Sequence, residues 1–256
     1  MGHFKGYIAI SDDRDVPALL HIRNARAVSF NQICELLALD GVEKVRRSVH
    51  WRVTRLAKNG LIQRFDEDRF LGQPVYAITQ VGLRLLESRG HYLVALPSTT
   101  DQIIHRTQLL HALELVNIRL ALARQGILQS WKCELEIASL NLVHENGTAK
   151  DYDAVAQIVV GGETQTFAIE YERTIKAAAR YKEIRELLGR DRTVDVVLYV
   201  TSDHNVLYLL ALEMRGVAKQ VGLVLSESFR RDLLDARTLL ASGGSDVIPF
   251  RDLFAA

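Results

Sequence analysis

Along the first third of the chain, apolar positions recur at three- and four-residue intervals, the spacing of amphipathic helices. VPALLHIRNARAVS predicts a first helix running into a turn. FNQICELLAL, with Ile33, Leu36, Leu37 and Leu39, predicts a second, short one. GVEKVRRSVHWRVTRLAKNG predicts a longer third helix that stops at Gly60. LIQRF and PVYAIT read as strands on either side of the charged loop DEDRFLGQ, and TQVGLRLLESRG as a further helix with Thr79 as its N-cap.

The segment LPSTTD, Leu96 to Asp101, brings a proline and small polar residues and marks a boundary. The expected domains are therefore 1–95 and 102–256. QIIHRTQLLHALELVNIRLALARQG predicts one long helix ended by Gly126, with Ile103, Leu110, Leu113 and Leu120 on its buried side. Strands follow at Trp131–Ile137, in DYDAVAQIVV and in TQTFAIEY, the last two joined by a Gly161-Gly162 hairpin. TIKAAARYKEIRELLG reads as a helix capped by Thr174, and VDVVLYV as a central parallel strand. A helix in HNVLYLLALEMRG, a strand in VGLVLS and a helical SESFRRDLLDARTLL complete the chain. The class is α+β in front and α/β behind.

The third helix decides how the front half reads. At about 100° per residue, Val45, Val49, Val53 and Leu56 share one side, and Lys44, Arg47, Trp51, Arg55 and Lys58 the other. Two helices, a basic helix and a two-strand ribbon form the pattern of a winged helix-turn-helix, whose basic helix enters the major groove of double-stranded DNA. Arg64 and Arg69 fall in the ribbon, in reach of phosphates. The same pattern also serves protein docking, and basic residues on a helix also occur as plain solvated surface.

The formal net charge of +1 means that any nucleic-acid role rests on a local basic face. No run of about 18 apolar residues is present, so no spanning helix is expected and no membrane partner. The first residues lack the apolar stretch of a signal peptide, and Cys34 and Cys133 fit no metal spacing, so a cytoplasmic protein with reduced thiols is expected. His105 and His111 lie on different faces of their helix and read as structural.

Three carboxylates carry the candidate chemistry. Asp153 opens one strand of the Gly-Gly hairpin, and Glu170 and Glu172 close the other at alternate positions, on one face. Hairpin pairing brings all three together, and Asp151 can join from the side of Asp153. Like charges that close need a cation, and Mg²⁺ or Mn²⁺ would take such oxygen ligands and activate water. Alternatively, Glu172, Arg173, Lys176 and Arg180 form a salt-bridge network without chemistry, Glu172 and Lys176 being an i,i+4 pair.

The αβββαβ order, with an acid opening the second strand and E-x-E ending the third, resembles the PD-(D/E)XK nuclease, or restriction-endonuclease-like, fold. That likeness implies Asp153, Glu170 and Glu172 as metal ligands and catalytic residues. Tyr152 stands at the family's proline and Glu172 at its lysine, and Lys176 or Arg180 would supply the missing charge. A winged helix followed by IIHRTQLLHALELVNIRLAL and KDYDAVAQIVV…FAIEYERTIKAAARYKEI is similar to the replication-relaxation family, over roughly residues 15 to 200. That resemblance implies DNA binding in plasmid replication or mobilisation. Its partners would be duplex DNA, replication or mobilisation proteins, or a second copy in a homodimer. The nuclease-like half is then degenerate, with Arg173, Lys176, Arg180 and Lys182 offered to phosphates, or an endonuclease dependent on Mg²⁺ or Mn²⁺.

Overall fold

A computed structural model describes residues 9–65, 72–95, 106–143, 148–242 and 246–255. Arg69, Ile103, His105 and the boundary segment 96–101 lie outside the described residues. The chain divides into two compact units. The first ends at Leu113, within a long helix, and the second begins at Glu114, with a short stretch from Leu93 grouped with it.

In the first unit, α1 (Asp15–Asn24) is followed by β1 (Val28–Ser29), α2 (Phe30–Leu39) and α3 (Arg46–Lys58). Next come β2 (Ile62–Phe65), β3 (Val75–Ile78) and α4 (Gln80–Ser88). The strands form one sheet in the order β1-β3-β2. The first helix runs into a turn as expected, and a short strand follows it. Arg26 takes a φ of 62°, and Val28 and Ser29 leave the helix to pair with Tyr76 and Val75. Ser29 then caps α2 in a reciprocal box, its hydroxyl accepting from the Gln32 N–H at 3.3 Å while the Gln32 side chain accepts the Ser29 N–H at 3.0 Å. Val45 lies just before α3 and is 57% exposed, not buried as its spacing implies. Val49, Val53 and Leu56 are buried as expected, and Gly60 ends the turn with φ 72°. Thr79 caps α4 as predicted, accepting from the Gly82 N–H at 3.2 Å.

The long helix α5 (Arg106–Arg124) leads into the second unit: β4 (Leu128–Cys133), α6 (Glu134–Val143), β5 (Ala154–Val160), β6 (Glu163–Tyr171), α7 (Ala178–Arg190), β7 (Val196–Thr201), α8 (His204–Glu213), β8 (Gln220–Leu225), α9 (Ser226–Asp232), β9 (Arg237–Leu240) and β10 (Val247–Pro249). The seven strands run β10-β9-β8-β7-β6-β5-β4. β7 lies parallel to β6 and β8 and is buried along its whole length, as an apolar β-branched run predicts. Gly161 and Gly162, both at positive φ, turn β5 into β6 with Val160 opposite Glu163.

Apolar side chains cover both sheet faces. Phe167, Leu198, Phe229 and Phe250 lie in one cluster, and Tyr152, Tyr181, Tyr199 and Leu210 in the other. Three expectations change here. The strand expected to reach Ile137 ends at Cys133, and α6 takes over. The final segment is not one helix, because Leu233 turns to φ 46° and β9 and β10 follow. Thr174 is not a cap, because α7 begins only at Ala178. Among the described residues no helix is long and apolar enough to cross a membrane.

Candidate functional site

Two sets of side chains stand out, one in each unit. In the first, α3 contains no acidic residue. Lys44 just before it, then Arg47, Trp51 and Lys58, are exposed, and Arg64 is exposed on β2. Trp51 holds an indole 61% in solvent, where packing cannot account for it. Arg46 joins this surface, stacked over Phe30 at 4.6 Å and bonded to Asn31.

Arg55 is placed differently from the other predicted contacts. Its side chain is only 21% exposed, lies 4.9 Å over the Trp51 ring and pairs with Asp15. Buried Arg52 donates to the other Asp15 oxygen at 2.6 Å and lies 3.8 Å from Glu43. Burial pushes the Asp15 carboxyl up, but bonds from Arg55, the Ser11 N–H and Arg52 outweigh it and hold its pKa below 3.8. One carboxylate on α1 thus clamps two arginines of α3. The remaining basic residues are left facing water.

In the second unit, the hairpin register sets Ala154 opposite Ile169, so Asp153 and Glu170 meet at the open end of β5 and β6. Asp153 accepts the Tyr171 N–H at 2.8 Å. Glu170 and Glu172 are only 4% and 7% exposed. Two lysines answer the repulsion between the acids. Lys150 pairs with Glu170, and Lys176 with Glu172. Burial, helped by Asp153 and opposed by Lys150, pushes the Glu170 pKa up to about 7. Burial pulls Lys176 down, but Glu172 outweighs it and the net shift is upward. The Glu172–Lys176 pair crosses a loop, since both residues precede α7. Arg180 pairs with Glu183 at 2.7 Å, and Asp151 accepts from Asn141 at 2.7 Å.

Lys150 was not singled out from sequence. Its signal is the same hairpin pairing that joins Asp153 to Glu170, carried three residues upstream. Tyr199, opposite Glu170 on β7, buries a hydroxyl with no hydrogen-bond partner among the described residues.

The acids do not fit a metal as they stand. Ammonium groups hold Glu170 and Glu172. Among the described residues no three His, Cys, Asp or Glu gather to hold an ion. The cysteines are free, and burial pushes the Cys133 thiol up to about 12.

No curated protein matches the sequence. A DNA-bound structure of the restriction endonuclease FokI is similar at TM-score 0.25 and 13% identity, over 88% of this chain and 45% of that one. The chain thus spans under half of that protein's length. The replication-relaxation profile matches residues 19–188, from α1 to the end of α7, taking in both α3 and the acid–lysine cluster. On that match, over well more than half of its length, the chain belongs to the replication-relaxation family.

Proposed function

We propose that the chain binds duplex DNA in the replication or mobilisation of a plasmid or other mobile element, beside the proteins that carry out those processes. The first unit acts as a winged helix that lays α3 in the major groove, with Arg64 of the ribbon at the backbone. The carrying observation is the outward face of α3, with exposed Arg47, Trp51 and Lys58 and no acid, extended by exposed Lys44 just before the helix. Arginine and lysine so placed contact phosphates and base edges, and the indole offers an apolar contact. Family membership supports the setting.

Binding in a gel shift is expected to survive removal of Mg²⁺ by chelation. It should fall at least about tenfold at moderate salt in the Lys44→Ala/Arg47→Ala/Lys58→Ala variant. Equal affinity in that variant would refute the winged-helix reading.

A second reading, an endonuclease dependent on Mg²⁺ or Mn²⁺, draws on the meeting of Asp153 with buried Glu170. It requires Lys150 and Lys176 to release both glutamates. Supercoiled plasmid incubated with the protein and Mn²⁺ separates the two readings. Intact plasmid is expected. Nicking that disappears in Glu170→Gln would replace the binding reading of the second unit by a catalytic one.

A further inference from the structure

Helix α8 buries Val206 and Leu210 against the sheet, yet leaves Tyr208, Leu209 and Leu212 exposed at 65%, 45% and 52%. A soluble surface seldom sets three such side chains together unless something covers them. Alongside lies a cavity of about 760 Å³, floored by Leu207, Leu223 and Leu239 with Val247 at its edge. Tyr208 and Leu212 line it as well, so the apolar patch continues from the helix into the groove.

The rim carries charge of both signs. Arg231 is already held by Asp232, at 2.8 and 2.7 Å. Arg215, Arg237 and Glu227 line the same cavity, and their side chains make no hydrogen bond or ion pair among the described residues. An acidic partner would meet Glu227, and a basic one would meet the arginines. A surface with an apolar centre and unpaired acid and arginine around it is complementary to itself. A two-fold interface between identical chains demands that property. Tyrosine and arginine are also the residues on which interface energy concentrates.

We propose that the α8 face, from Tyr208 and Leu212 across the groove to Val247, is where two copies of this chain associate. The charge on Glu227 meets an arginine of the second copy. This inference does not rest on the DNA reading and fails separately from it. If both hold, two basic helices act on one duplex and effective concentration raises the affinity.

The test is light scattering on the full chain through a dilution series. At tens of micromolar the expected mass is twice the 28.8 kDa of one chain. Leu212→Glu is expected to raise the dimer dissociation constant at least about 30-fold, with circular dichroism and melting unchanged because the position is exposed. Tyr208→Ser serves as a second probe should that variant misfold. Glu227→Lys leaves the rim all positive and is expected to weaken association about tenfold. Adding Arg215→Glu to it should recover part of the loss. A wild-type chain that stays monomeric overturns the proposal. So does self-association that these variants leave intact, or that Glu227→Lys strengthens. A monomer whose groove instead binds the apolar anion anilinonaphthalene sulfonate, in a manner lost with Leu212→Glu, also overturns it and assigns the groove to a small ligand.

Discussion

Asp15 shows how one residue decides what α3 can offer. It is fully buried and answers Arg52 and Arg55 together. Asp15→Asn leaves Arg55 without its carboxylate and Arg52 with only Glu43 at 3.8 Å, and is expected to cost about 3–5 kcal/mol at neutral pH, read from urea unfolding. Because the folded pKa lies below 3.8, the carboxylate contributes its stability above that pH and loses it as pH falls through the folded value. The gap between wild type and Asp15→Asn should therefore close in acid. A gap constant from pH 7 to pH 2 would show that the clamp carries no net charge interaction. Lys150 makes the opposite case. With the Glu170 pKa up near 7, the folded protein holds a proton there that the unfolded chain has shed, and stability falls as pH rises from about 4.5 towards 7. Lys150→Met removes the cation, so its melting temperature should drop further below wild type at pH 8 than at pH 5. A uniform drop would contradict the ion pair.

At the scale of elements, two close approaches are steric. A Cβ on Gly82 of α4 would stand 2.2 Å from the Leu61 carbonyl oxygen and 2.9 Å from Ile78 Cγ1. Alanine favours a helix by about 1 kcal/mol over glycine. Backbone that must shift costs more, so Gly82→Ala is expected to destabilise the first unit by about 1–3 kcal/mol, seen as a lower urea midpoint. A higher midpoint would mean that propensity wins. The second is Gly222 on β8, where a Cβ would lie 2.6 Å from both Leu253 and Thr238.

Elements with strong local signals were legible: the Gly-Gly hairpin, the apolar β7, the Thr79 cap and the basic α3. Those that depend on partners were not. β1 is two residues long and exists through its pairing with β3. α6 misled because Cys133, Leu135, Ile137 and Ser139 are buried alternately, the mark of a strand, although the backbone from Glu134 is helical. Short apolar runs do not separate the two by period alone. The acids of the site were legible from the hairpin. The cation on Glu170 was not, because nothing in the spacing around Lys150 assigns it a partner and its role appears only when β5 and β6 pair.

For the molecule as a whole, a charge of +1 hides a division of labour. The second unit neutralises its buried acids internally through Lys150 and Lys176, whereas the first unit keeps Arg47 and Lys58 of α3, and Lys44 before it, outward while Asp15 holds Arg52 and Arg55. The proposed duplex binding draws on that asymmetry, and the salt dependence of binding tests it. The central test is fluorescence anisotropy of a labelled duplex titrated with the full chain at several salt concentrations. Each phosphate contact contributes about 0.9 to the slope of log affinity against log salt. Wild type is expected to show a steep negative slope, and the Lys44→Ala/Arg47→Ala/Lys58→Ala variant a slope shallower by about 2–3 with affinity lowered across sequences. Binding that ignores salt, or a variant that keeps the wild-type slope and affinity, would contradict a DNA-binding role for α3.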